Sequence, residues 1–171
     1  LLERTGGIPL FIEEVVRRLV DTGAIIESNG SFRVALSAEE LGMPRTVQAS
    51  ISARVDSLPA TMKRILQSAA VLDQPITVRL LEEMSEDSSH ELRDAVRELE
   101  VGGFLVSVRT IPEVEFRFVH ELAREVIYST LTRDHRRSLH GKALQACIRV
   151  LSDRVEEFAG RLAHHAYESQ N

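Results

Sequence analysis

Few side chains in this 171-residue sequence combine a type and a spacing that could do chemistry. The first is His120, within "FRFVHELAREVIY". Before it, Phe116 and Phe118 alternate with charged residues, the pattern of a strand with one buried face. After it, Val119, Leu122, Ala123, Val126, Ile127 and Leu131 recur at helical offsets. His120 therefore falls at a strand-to-helix seam, about 100° round from Val119, on the edge of the apolar stripe. Unpaired N–H groups and the dipole at a helix N-terminus favour anions, so an imidazole there suits a phosphate contact. The plainer alternative is a core-edge histidine bonded to a neighbour.

Arg54 lies on the stripe of Val47, Ile51 and Leu58, where a cation needs a partner. That partner is either an acid across an interface, or a nucleotide or neighbouring domain. Metal and catalytic readings fare worse. "HELAR" opens like the H-E-x-x-H zinc signature, but Arg124 stands where the second ligand belongs. His164 and His165 are adjacent, so on a helix they point about 100° apart, poorly placed to share one ion. A solvated or partly packed pair is expected, and no metal site. No G-x-x-x-x-G-K-[ST] loop occurs, and "GGIP" lacks the lysine and hydroxyl that hold phosphates and magnesium. No catalytic residue is expected, and this chain alone should not hydrolyse ATP. Cys147, the single cysteine, shares a stripe with Leu144, Ile148 and Leu151 and reads as a small buried hydrophobe.

The elements that must position these residues follow from periodicity and punctuation. Pro9 can open a helix with Ile12, Val15, Val16, Leu19 and Val20 on one face, ending at Gly23. Asn29-Gly30 sits between two short apolar-rich runs, a strong hairpin signal. After the connector "SAEELGMP", one helix stops at Pro59 and a second runs from there to Leu72. An extended piece near Ile76, a short helix from Thr77 to Met84 and a longer one from Ser89 to Val101 come next. Gly102-Gly103 then precede the strands "FLVSV" and "VEFRFV", with "RTIPE" as the tip. Three helices and a hairpin in this order describe a winged helix, a variant of the helix-turn-helix. The basic run "RDHRRSLHGK" leads into a helix through Leu139, Ala143, Ala146 and Val150, and "VEEFAGRLAHHAYES" reads as a last helix. The expected fold class is mainly α with short β-hairpins.

Charge argues against the DNA-binding use of such a fold. The net charge is −5, and the third helix carries Glu91, Asp94, Glu98 and Glu100 against Arg93 and Arg97. No run approaches the length that spans a bilayer. "LLERTGGIP" has neither an initiator methionine nor a signal-peptide layout, so the chain reads as an excised fragment, and its lone cysteine fits a cytoplasmic setting.

Taken together, "GGIPLFIEEVVRRLVDTGAI", "MPRTVQASISARVDSLP", "ILQSAAVLD", "FRFVHELAREVIYSTL" and "RRSLH" resemble the STAND class of signal-transduction ATPases. Its members include large bacterial regulators with LuxR-type output or adenylate-cyclase domains. The resemblance implies the end of a helical lid with its hairpin and connector (1–44), a winged-helix domain with a preceding linker helix (45–132), and the first helices of a TPR-like superhelical sensor region (133–171). It also implies that Walker A and B segments lie in an upstream nucleotide-binding core. "GGIP" resembles the family's G-x-P motif, so Gly7 and Pro9 match, with Pro9 packing on adenine. "VHEL" resembles the methionine-histidine-aspartate motif, so His120 matches the histidine that contacts the phosphates of ADP; Val119 and Glu121 replace the other two residues. ADP or ATP would be bound only by the full-length protein. The implied partners are the upstream core and the downstream sensor and output domains, with oligomerisation on activation and no direct contact with nucleic acid or membrane. A winged-helix transcription regulator and a protein-interaction scaffold are the competing readings.

Overall fold

The computed structural model describes residues 9–21, 23, 25–28, 31–34, 46–72, 76–110 and 113–170. They fall into two units, Leu1–Ser57 and Leu58–Asn171. In the first unit, helix α1 (Pro9–Asp21) begins at a proline, whose missing N–H and fixed φ suit a first helical turn. Two residues after it Gly23 adopts φ +67° and donates its N–H to the Val20 carbonyl at 2.9 Å, a left-handed step that glycine takes without strain. Strands β1 (Ile25–Ser28) and β2 (Ser31–Val34) pair antiparallel with Ser28 opposite Ser31. Helix α2 (Val47–Ser57) buries Ser50, Ile51 and Val55, and the Thr46 hydroxyl accepts from the Ala49 N–H at 3.1 Å in its first turn. Gly7, the Asn29-Gly30 tip, the connector 37–44 and the expected boundary at 44/45 lie outside the described residues.

The second unit starts with Pro59, whose carbonyl accepts from the Lys63 N–H as helix α3 (Ala60–Leu72) begins. Strand β3 (Ile76–Thr77), helices α4 (Val78–Met84) and α5 (Ser89–Val101), strands β4 (Leu105–Arg109) and β5 (Glu115–Phe118), and helix α6 (Glu121–Ser129) follow. The sheet order is β3-β5-β4, antiparallel throughout, with Ile76 opposite Phe116 and Leu105 opposite Phe118. This is the winged-helix order, and the fold is mainly α with short β-hairpins. Several helix ends are specified locally. Thr77 caps α4, and Ser88 with Glu91 forms a reciprocal capping box on α5. At the other end of α5, Phe104 N–H bonds to Leu99 and Gly103 N–H to Glu100, with Gly103 at φ +67°, a Schellman stop that turns the chain into the wing.

The wing departs from simple alternation. Ser107 pairs with Phe116 but Arg109 pairs with Glu115, so Val108 is the extra residue of a bulge and is 53% exposed. Beyond the wing, Thr132 caps helix α7 (Arg133–Val150), so the basic run is itself helical from its start. The last segment differs from the expectation of a single helix from Val155. A 3₁₀ stretch, Ser152–Phe158, comes first and helix α8 (Ala159–Glu168) after it, because the chain must reverse tightly at the end of α7.

Residues 133–171 belong to the same unit as the winged helix. Two arginines tie the parts together at the C-terminal end of α3, where carbonyls lack helical partners. Arg161 of α8 donates to the Leu72 carbonyl at 2.6 Å, and Arg124 of α6 to that of Ala70 at 3.3 Å. Leu66, Leu72, Leu80, Leu92, Leu99 and Ile127 are among the side chains sealed in this core. Among the described residues no helix is long and apolar enough to cross a membrane.

Candidate functional site

His120 is the N-cap residue of α6, extended at φ −129° and ψ 127°. Strand β5 delivers the chain to this point, and Val119 N–H bonds to the Phe104 carbonyl at 3.0 Å, which holds the seam against the start of the wing. Ala123, Val126 and Ile127 are buried and fix the rotation of α6. His120 is left half-buried beside the helix start, and its imidazole makes no capping bond to the first turn. The His120 carbonyl, in contrast, accepts from Ala123 N–H at 3.0 Å. The result is a nine-residue helix with an imidazole at its anion-favouring end. Arg124, which breaks the zinc-like signature, pairs with Glu121 one turn back.

The other sequence candidates lie in the first unit. Pro9 is exposed at the first position of α1. Arg54 forms a salt bridge with Glu14 of α1, with the two side chains 11% and 7% exposed. An acid thus meets this cation, in line with the structural alternative for Arg54. Within the second unit, Lys142 of the basic run reaches Glu86 at 3.5 Å and Arg136 lies over the Tyr128 ring at 4.5 Å, while Arg149, further along α7, reaches Glu83 at 2.7 Å.

Periodicity did not find the histidines that the structure gathers between α7 and α8. The buried face of α7 runs through Leu139, His140, Ala143, Ala146 and Cys147, whereas Ile148, placed on the Cys147 stripe from sequence, is 44% exposed. His140 meets both members of the His164-His165 pair: ring centroids lie 5.4 Å and 5.1 Å away, and its Nδ1 is 2.9 Å from His165 Nδ1. Its Nε2 lies 2.9 Å from the Tyr128 hydroxyl. The only sequence signal was that His140, Ala143 and Cys147 share an apolar stripe.

Burial, and then His164 beside it, push the His140 pKa down to about 4; Glu168 pulls it up and Arg136 presses it down. Tyr128 and His165 complete its surroundings. The imidazole is neutral in the folded chain at pH 7, while the unfolded chain takes up this proton below about 6.5. Stability from this group is therefore full above pH 6.5 and is lost as the pH falls towards 4, by at most about 1.4 kcal/mol per pH unit. Urea midpoints measured with chelator between pH 7 and 4.5 should fall for wild type, and His140→Gln should flatten the curve over that window. Equal slopes in the two proteins would contradict the assignment.

No protein-family model matches the chain. An uncharacterized protein of Rhizobium meliloti (strain 1021) is 27% identical over 168 residues, which is 95% of this chain and 15% of that protein's length. The chain is thus similar, along nearly its whole length, to a small part of a much longer protein.

Proposed function

We propose that this chain is the lid-to-winged-helix segment of a STAND-type regulator, followed by the first helices of its sensor region. In this reading it works in the cytoplasm without catalytic groups of its own. It closes over ADP held by an upstream core and swings away with the sensor when nucleotide exchanges, which frees an output domain or an oligomerisation surface. The observation that carries the proposal is His120 at the N-cap of α6, at a seam that the Val119–Phe104 hydrogen bond ties to the wing. The length of the relative adds support, because such a switch needs further domains in the same chain.

A protein-facing use of the winged helix also fits the surface of α5 better than DNA does. Arg93 pairs with Glu82 at 3.1 Å and Arg97 lies 3.7 Å from Asp94, so acids partly neutralise both bases. Val101 at its end is 85% exposed and Val108 in the wing 53%, apolar surface suited to a protein neighbour.

The 171-residue chain should show no ATP turnover and bind ADP no tighter than millimolar. A contact from Pro9 or from His120 supplies only a few kcal/mol without a phosphate loop. Calorimetry with ADP and a phosphate-release assay check this. Micromolar ADP affinity or steady turnover would refute the division of labour, and a duplex-DNA shift that persists at physiological salt would favour the transcription-factor reading.

A further inference from the structure

We propose that His140, His164 and His165 form a binding site for a zinc-class divalent ion that pins α8 to α7. Each residue offers one ring nitrogen, and the three nitrogens lie within 4.8 Å of one another. Nitrogens at about 2.0–2.1 Å from one Zn²⁺ are themselves roughly 3–3.5 Å apart, so small side-chain rotations bring this trio onto an ion. The adjacency of His164 and His165 argues against a shared ion only while the pair is considered alone. His140 arrives from the other helix and completes a triangle of rings, 5.4 Å and 5.1 Å from the pair whose own centroids are 5.7 Å apart, which supplies the missing direction.

Three further features suit an ion. His140 is 1% exposed and His165 fully buried, so two ligands are held by packing before an ion enters, while exposed His164 leaves a route from solvent. The Tyr128 hydroxyl at His140 Nε2 is the outer partner that a ligating imidazole commonly has; in the tautomer where it accepts from Nε2–H, the Nδ1 lone pair is directed at the cluster. Proton balance is also satisfied. In the ion-free pair the 2.9 Å Nδ1 contact requires one Nδ1–H, carried by His165, and ion binding moves that proton to His165 Nε2 without changing the net protonation. An all-imidazole set favours zinc over calcium or magnesium, which take oxygen ligands, and three histidines leave the fourth position to water.

The test is calorimetric titration of the chelator-treated 171-residue chain with Zn²⁺ at pH 7.5, with Co²⁺ absorption as a probe of ligand geometry and thermal melting in parallel. One equivalent should bind at micromolar affinity or tighter and raise the melting temperature. His164→Ala, at an exposed position that should leave the fold intact, should lose the site, and Tyr128→Phe should weaken it about 10–100-fold. Binding retained in His164→Ala would place the ion at scattered surface histidines and overturn the proposal, as would the absence of binding at sub-millimolar Zn²⁺.

Discussion

Arg54→Ala is expected to destabilise the first unit by about 3–5 kcal/mol, the cost of leaving one member of a buried ion pair without its partner. Glu14 is 5% exposed, and among the described residues its Oε2 has no hydrogen-bond partner, so the carboxylate depends on the guanidinium through its other oxygen. Removing Arg54 strands that charge where water cannot easily replace the cation. Replacing both partners by apolar residues of similar volume, Arg54→Met with Glu14→Leu, should recover most of the loss, because the desolvation of both ions disappears together. The chain has no tryptophan, and its two tyrosines, Tyr128 and Tyr167, lie in the second unit, so intrinsic fluorescence will not report this event. Amide exchange over 9–21 and 47–57 will. Protection in Arg54→Ala within about 1 kcal/mol of wild type would show that the pair is screened like a surface bridge.

This pair shows where sequence reasoning stops. That a cation on the stripe of α2 needs a partner was legible from the helical period; that the partner is Glu14, 40 positions earlier, was not, because nothing local in α1 marks one acid among its neighbours. The winged helix was legible for the opposite reason. Its boundaries are set by Pro59, the Ser88 cap and the Gly102-Gly103 stop, each of which acts within a few residues. The bulge at Val108 depends on the register between two strands, and the 3₁₀ entry to α8 on how the chain folds back on α7, so neither is written in a single segment. His140 is not legible in this way, because a polar residue on an apolar stripe reads as its edge. Only the packing of α8 on α7 makes it the centre of a histidine cluster. His120 is the intermediate case: the change of hydrophobic period located the seam, and the structure places it at the N-cap itself.

The central claim is that His120 faces a nucleotide held by an upstream core, and its most direct test is the rate of ADP release from a longer protein that includes that core. A histidine bonded to a charged phosphate contributes roughly 1.5–3 kcal/mol, so His120→Ala should release ADP about 10–150-fold faster than wild type. Thermal melting of both proteins without nucleotide is the control that separates lost phosphate contact from lost packing at the N-cap of α6. If His120→Ala releases ADP at the wild-type rate but melts earlier, His120 is a core-edge histidine and the proposed nucleotide switch is wrong at its defining residue.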